Sequence, residues 1–149
     1  MKIELPDLAA MERFGAAIAD VLRPGDVLAL SGGLGAGKTT LARAVIAALG
    51  HQGEVPSPSF AIIEVYDPPA VRLPLVHADF YRLDHPHEAD ELGLDDYRDG
   101  AAMIAEWPGH AGGFGHEPGC LSILLETAEQ GRIAIVEGGD NWLGRMPCP

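Results

Sequence analysis

One glycine-rich segment constrains the fold of this 149-residue chain more than any other feature. Residues 32–39, Gly-Gly-Leu-Gly-Ala-Gly-Lys-Thr, match the phosphate-binding loop pattern at every fixed position. An apolar run comes before the segment and a helical pattern follows it, which is the strand–loop–helix context that the pattern requires. Because glycines allow successive backbone N–H groups to face a polyphosphate at a helix N-terminus, the segment predicts a nucleoside triphosphate site.

The chemistry of such a loop assigns roles to its last two residues. Lys38 is expected to reach the terminal phosphates, and the Thr39 hydroxyl is expected to ligate Mg²⁺. The backbone around them is expected to surround the phosphates. The loop residues that become candidate nucleotide contacts in this way are Gly33, Gly35, Ala36 and Gly37.

A site of this kind also needs an acid to hold Mg²⁺, usually at the end of an apolar strand beside the loop strand. Asp79 ends the run Leu-Val-His-Ala, and Glu106 ends the run Met-Ile-Ala. Two acids behind one phosphate loop favour two roles, one linked to the metal and one that orients the attacking water. The sequence alone leaves open which acid has which role.

The order of the predicted elements indicates an α/β fold. Early in the chain, the predicted strands alternate with helices, and the last two strands form a hairpin. This order implies a mixed, largely parallel sheet flanked by helices. A single P-loop NTPase domain is expected over residues 1–137, followed by a flexible C-terminal tail over residues 138–149. Helices are predicted over 8–22, 39–49 and 87–92, and strands over 1–5, 26–30, 61–66, 71–78, 101–105, 121–125 and 132–136.

The charge balance argues against a free-standing nucleic-acid binder. Ten Lys and Arg residues stand against 22 Asp and Glu residues, which gives a net charge of −12. A protein that grips nucleic acid by itself neutralises phosphates with a basic patch, and this composition can hardly supply one. The two cysteines, the lack of an apolar run near the ~18 residues of a membrane span and the lack of a signal-peptide core predict a cytoplasmic protein without a membrane.

Two further features can be interpreted in more than one way. Residues 56–60, Pro-Ser-Pro-Ser-Phe, lie where nucleotide switches often carry a hydroxyl that senses the γ-phosphate, but a linker rich in turn residues has the same composition. Trp107 follows Glu106 directly and could stack on a base. From the residue alone, a core or interface aromatic is the favoured interpretation.

Five segments together resemble the TsaE (YjeE) family. The similar segments are residues 35–40, 56–60, 77–83 (His-Ala-Asp-Phe-Tyr-Arg-Leu), 91–97 (Glu-Leu-Gly-Leu-Asp-Asp-Tyr) and 106–108 (Glu-Trp-Pro). The resemblance covers about residues 5–137. It implies an ATPase with ATP and Mg²⁺ as cofactors, weak alone and activated by partners. It further implies that the chain acts on TsaD and TsaB to reset that complex between turnovers in tRNA threonylcarbamoyladenosine modification, with tRNA met only through the complex.

The resemblance also implies roles for individual residues. Lys38 would contact phosphates, Thr39 would ligate Mg²⁺ and Glu106 would be the second metal-linked acid, while Asp79 would support hydrolysis. The further nucleotide contacts that it implies are Thr40, Trp107 and, weakly, Arg132.

The chain departs from the family pattern at two positions. Gly33 stands where family loops often carry Asp, so any tuning by that carboxylate is absent or displaced. Ser59 stands where the switch often carries Thr, and a hydroxyl is kept. Two other functions stay open: a P-loop small-molecule kinase, which the scattered arginines disfavour, and a non-catalytic interaction module switched by ATP.

Overall fold

The computed structural model describes residues 1–56, 58 and 62–148. Its secondary structure consists of seven strands and four α-helices within these residues. The strands are β1 (Lys2–Leu5), β2 (Val27–Ser31), β3 (Ile63–Tyr66), β4 (Leu75–Asp79), β5 (Ala102–Glu106), β6 (Cys120–Thr127) and β7 (Arg132–Gly138). The helices are α1 (Leu8–Val21), α2 (Lys38–Ala48), α3 (Glu88–Glu91) and α4 (Leu94–Arg98), with short 3₁₀ turns at Pro108–Ala111 and Asp140–Trp142.

All seven strands form one mixed sheet in the order β1-β7-β6-β2-β5-β4-β3. The four central strands, β6, β2, β5 and β4, run parallel to one another. The edge pairs β1–β7, β6–β7 and β3–β4 are antiparallel. The α/β class and the mixed sheet that the sequence predicts are therefore confirmed, with the parallel part confined to the centre.

Side-chain alternation along the central strands divides the core into two layers. Leu28 and Leu30 of β2 pack on one face, where α1 and α2 cover the sheet. Val27 and Ala29 point to the opposite face, where they pack with Phe80 among the residues that follow β4. Because both faces are covered, the central strands are apolar almost throughout, as parallel strands generally are.

Most predicted elements lie within a few residues of their observed bounds. Asp7 caps α1 by accepting a hydrogen bond from the Ala10 N–H at 2.8 Å, as its type and position predict. The strand predicted over 71–78 begins only at Leu75, because Pro74 cannot donate to the ladder. Helix α4 was not predicted. No helix in the described ranges is long and apolar enough to cross a membrane.

The segment after β7, which the sequence predicts as a C-terminal tail, makes several contacts with the rest of the fold. Trp142 is fully buried, and its indole N–H donates to the Gly119 carbonyl at 2.8 Å. Arg145 lies over the Trp142 ring and forms a buried ion pair with Asp26, with 2.6 Å between Nη2 and Oδ1. These contacts attach residues 140–145 to the residues just before β2 and just before β6.

Replacing Arg145 with alanine is expected to lower the free energy of unfolding by about 3 kcal/mol, since removal of one partner leaves the other charge buried and unpaired. Asp26 is only 3% exposed, and its carboxylate depends on Arg145 and on the Arg23 backbone N–H for hydrogen bonds. Urea denaturation followed by circular dichroism measures the effect. The matched control is Arg23→Ala, which removes an exposed side chain and should change stability by less than about 0.5 kcal/mol. Equal stability of both variants would contradict a structural role for the segment.

Candidate nucleotide-binding site

The candidate site lies where the central parallel strands end. In parallel register, Asp79 at the end of β4 pairs with Glu106 at the end of β5, and Glu106 pairs with Leu30 of β2. The glycine-rich loop leaves β2 at this same edge and leads into α2. Open α/β sheets bind ligands outside the carboxyl ends of their strands, so the topology brings the loop and both predicted acids to one place.

The loop backbone requires glycine at two positions. Gly37 has a φ of 105° immediately before α2, a conformation that other L-residues rarely adopt. Gly32 has a φ of 139°, and a Cβ there would lie 2.5 Å from the Leu125 carbonyl oxygen. Gly33 differs, since its φ is not positive and no atom of the described residues, apart from its own chain neighbours, lies within 4 Å of where its Cβ would be. An acidic residue at position 33 would therefore meet no steric obstacle.

Lys38 begins α2 and is only 5% exposed. Its ammonium donates to the Gly32 and Gly33 carbonyls, at 2.8 and 2.7 Å. Burial lowers the pKa of Lys38 from its ordinary 10.5, and the negative charges of Glu106 and Asp79 act in the opposite direction. The Lys38 ammonium thus places a full positive charge beside the backbone N–H groups at the start of α2. The helix dipole adds positive potential at the same point.

A hydrogen bond between Thr39 and Glu106 links α2 to the end of β5 at this site. The Thr39 hydroxyl donates to Glu106 Oε1 at 2.7 Å. Glu106 is 2% exposed, and its other carboxylate oxygen, Oε2, accepts a hydrogen bond from His77 Nε2 at 2.6 Å. Both oxygens of this carboxylate are thus fixed by neighbouring side chains.

Asp79 belongs to the same edge but has different surroundings. It is 7% exposed, and Oδ1 accepts a hydrogen bond from the Tyr81 N–H at 2.9 Å. Its charge is near enough to Lys38 to affect the pKa of that lysine. Both acids therefore act on the pKa of Lys38, Glu106 more strongly than Asp79, and Glu106 also contacts the loop threonine.

Aromatic side chains form one wall of the site. The Lys38 ammonium lies 4.3 Å from the centroid of a Trp107 ring, and Trp107 has a left-handed backbone with a φ of 56°. The Tyr81 ring lies 4.9 Å from Trp107 and the His110 ring 5.5 Å from it, centroid to centroid. Of the two parts of the interpretation as a core or interface aromatic, the core part does not fit, because Trp107 is only partly buried and its ring faces the loop lysine.

Arg132, at the start of β7, supports the loop from the opposite side. Its guanidinium donates to the Ala36 carbonyl at 3.0 Å through Nε and to the Gly35 carbonyl at 3.1 Å through Nη2. These bonds fix two carbonyls of the loop that leads into α2. Arg132 therefore contacts the loop backbone; the nucleotide contact that the sequence predicts for it stays a prediction.

A cavity of about 300 Å³ joins most of the predicted site residues. Its walls also contain Leu34 and Tyr81, which the sequence did not single out. The predicted residues that line it are Gly35, Gly37, Lys38, Thr39, Thr40, Asp79, Glu106, Trp107 and Arg132.

The remaining predictions lie outside this cavity or outside the described residues. Gly33 and Ala36 border a neighbouring pocket against β6, and the Ala36 side chain is buried. Ser57, Ser59 and Phe60 of the proposed switch lie outside the residues that the structure describes. His77 was missed, although alternation along β4 places it on the same face as Asp79.

Comparison with known proteins agrees with this fold. The model of the family described as "Threonylcarbamoyl adenosine biosynthesis protein TsaE" matches residues 5–134. The solved structure of YdiB from Bacillus subtilis superposes with a TM-score of 0.73 at 30% identity, covering 96% of this chain and 88% of YdiB.

Two proteins named tRNA threonylcarbamoyladenosine biosynthesis protein TsaE are similar in sequence. The one from Haemophilus influenzae is 37% identical over 109 residues, which are 69% of this chain and 68% of that protein. The one from Streptomyces coelicolor is 43% identical over 98 residues, which are 65% of this chain and 66% of that protein. With a family model that covers most of its length, and a sheet that superposes on YdiB, the chain belongs to the TsaE family of threonylcarbamoyl adenosine biosynthesis proteins.

Proposed function

We propose that the chain is a Mg²⁺-dependent ATPase that acts in tRNA threonylcarbamoyladenosine modification, weakly active alone and stimulated by TsaD and TsaB, whose complex it resets between turnovers. The observation that carries the ATPase part is the 2.7 Å hydrogen bond from the Thr39 hydroxyl to Glu106, directly beside the buried Lys38. A hydroxyl linked to a carboxylate at the start of a phosphate-loop helix is the arrangement that P-loop NTPases use for Mg²⁺.

The residues present fit a triphosphate and a hard divalent cation. Phosphate oxygens would meet the Lys38 ammonium and the N–H groups at the start of α2, where the helix dipole favours negative charge. Oxygen donors are what Mg²⁺ takes, usually from one or two side chains together with substrate phosphates. The Thr39 hydroxyl and the Glu106 carboxylate supply this donor set, and bound Mg²⁺ would neutralise charge on the phosphates.

The two acids are assigned different roles. Glu106 has both oxygens engaged, by Thr39 and by His77, which suits a carboxylate that holds a metal-linked hydroxyl in place. Asp79 lines the same cavity, and its Oδ1 accepts a hydrogen bond from the Tyr81 backbone N–H, so it is the acid that we assign to orienting the attacking water. Trp107 and Tyr81 line this side of the cavity.

The net charge of the chain supports contact with tRNA only through partner proteins. A net charge of −12 repels nucleic acid phosphates, so the partner proteins would hold the tRNA while this chain binds the partners. The family name supports a place in the tRNA modification pathway. The cytoplasm, where tRNA is modified, is the proposed location.

Hydrolysis is favoured over phosphoryl transfer to a small acceptor. Small-molecule kinases clamp the transferring group with several cationic side chains. In the part of the chain that the structure describes, Lys38 and Arg132 are the cations that line the cavity, and Arg132 is engaged with loop carbonyls. A water-activating acid such as Asp79 suits hydrolysis.

Steady-state hydrolysis tests the proposal. ATP turnover is measured with Mg²⁺ for the chain alone, then with TsaB and TsaD added together, with GTP as the competing substrate and the Lys38→Ala variant in parallel. Slow turnover that rises when the partners are added, and that the variant lacks, is the expected result. ATP binding without any rise would favour a switched interaction module, whereas Mg²⁺-dependent transfer to a small acceptor would favour a kinase.

A further inference from the structure

His77 is a polar residue at a fully buried position of β4, where an apolar residue would be usual. It lies in the middle of β4 and is 0% exposed. A buried imidazole is costly unless its polar atoms find partners. Its Nε2 meets Glu106 Oε2 at 2.6 Å, and its Nδ1 has no hydrogen-bond partner among the described residues. The contact with Glu106 is therefore what the structure gains from a histidine here.

Strand geometry explains why the contact reaches Glu106. His77 is in register with Ile104 of the neighbouring β5, two residues before Glu106. Alternation directs all three side chains to the face of the sheet that α2 covers. The imidazole extends along this face toward the carboxyl end of β5, where the Glu106 side chain turns toward α2.

The Glu106 carboxylate divides its two oxygens between two donors. Oε2 accepts from the His77 Nε2–H, and Oε1 accepts from the Thr39 hydroxyl. With Oε2 held, the plane of the carboxylate is fixed and Oε1 faces Thr39. Without a donor at Oε2, the buried carboxylate would turn to satisfy that oxygen elsewhere, and the orientation of Oε1 would be lost.

We propose that His77 is a positioning residue that holds the Glu106 carboxylate by its Nε2–H, so that the Thr39–Glu106 pair is already arranged when Mg²⁺ and the triphosphate arrive. The inference rests on the proposed function, because it concerns the metal-linked acid of that site. Outer groups that orient metal-linked ligands typically change metal affinity by about 10–100-fold when removed. The effect is therefore expected in the Mg²⁺ dependence.

Two amide variants separate this role from a general need for a polar group in the core. A Gln side chain can place its amide N–H near the position of the imidazole Nε2–H, whereas an Asn amide reaches only as far as Nδ1. We expect His77→Gln to keep the half-saturating Mg²⁺ concentration of ATP turnover within about threefold of wild type, and His77→Asn to raise it by about 10-fold or more. His77→Leu should behave like His77→Asn if it folds.

Binding without Mg²⁺ supplies a readout besides turnover. ATP affinity in EDTA, followed by calorimetry, should be similar in all variants, because Lys38 and the loop backbone do not depend on His77. In the wild type, ¹⁵N NMR should show a solvent-protected Nε2–H on His77 whose resonance moves in Glu106→Gln.

The outcomes are distinct. Equal Mg²⁺ dependence in His77→Asn, His77→Gln and wild type, or equal loss in both variants, would overturn the positioning role and leave the ATPase proposal standing. A wild-type chain that shows neither binding nor turnover of ATP with Mg²⁺ would overturn the proposed function, and this role with it.

Discussion

Replacing Lys38 with alanine is expected to weaken ATP binding by about 100-fold and to reduce turnover by at least about 10²–10³-fold. Each hydrogen bond from a charged donor contributes about 1.5–3 kcal/mol, and the ammonium can give several to the phosphates. Donors aimed at charge that develops in the transition state contribute further to the rate. Calorimetry with Mg²⁺ and a slowly hydrolysed ATP analogue measures the first loss, and phosphate release measures the second.

The only other lysine of the chain offers a matched control. Lys2 is exposed in β1, so Lys2→Ala removes the same charge far from the cavity and should leave binding and turnover unchanged. Equal losses in both variants would mean that net charge matters rather than the position of Lys38. Normal ATP affinity in Lys38→Ala would overturn the assignment of the loop.

Replacing Lys38 with methionine should leave the fold intact. Burial lowers the pKa of Lys38, so between that lowered pKa and 10.5 the unfolded chain binds more protons than the folded one. The stability of the wild type relative to Lys38→Met should therefore rise as the pH rises through this window. At neutral pH the buried ammonium of Lys38 is charged and its desolvation costs stability, so removing it should not destabilise the fold strongly. Lys38→Met should therefore show a Tm within about 4 °C of wild type.

The sequence predicted the parts of the site that depend on local pattern. The loop is recognisable because glycines, Lys38 and Thr39 follow one another at fixed spacing between a strand and a helix. Asp79 and Glu106 are recognisable because each ends an apolar strand, and parallel strands end at a common edge. The structure then brings both acids to one cavity with the loop.

Other features depend on contacts between residues far apart in the chain. Trp142 is buried because the Gly119 carbonyl and the Arg145–Asp26 pair surround it, and nothing near residue 142 in the sequence indicates this. The place of Trp107 could not be predicted either, because its neighbour Lys38 belongs to another element far away in the chain. His77 could have been found from its alternation with Asp79, but its partner Glu106 is set by strand order, which the sequence left open.

The two acids, which the sequence could not distinguish, should respond differently to loss of charge. Asp79→Asn keeps the shape and the acceptor for the Tyr81 N–H, so ATP and Mg²⁺ binding should stay within about threefold of wild type. Turnover should fall by about 10²-fold or more, since general-base assistance contributes typically 10²–10⁴-fold. Glu106→Gln should instead raise the half-saturating Mg²⁺ concentration by about 10-fold or more, because the acceptor of the Thr39 hydroxyl loses its charge.

The turnover rate and the half-saturating Mg²⁺ concentration should both be measured for Asp79→Asn and Glu106→Gln. The roles are then assigned by which quantity changes in which variant, rather than by a loss of activity alone. Partner stimulation should be measured in parallel, since a variant that cannot orient water should stay slow even with TsaB and TsaD present. The reverse pattern, with impaired Mg²⁺ dependence in Asp79→Asn and intact Mg²⁺ dependence in Glu106→Gln, would exchange the two assignments. It would also remove the reason for His77 to hold Glu106, because the positioning role concerns the metal-linked acid.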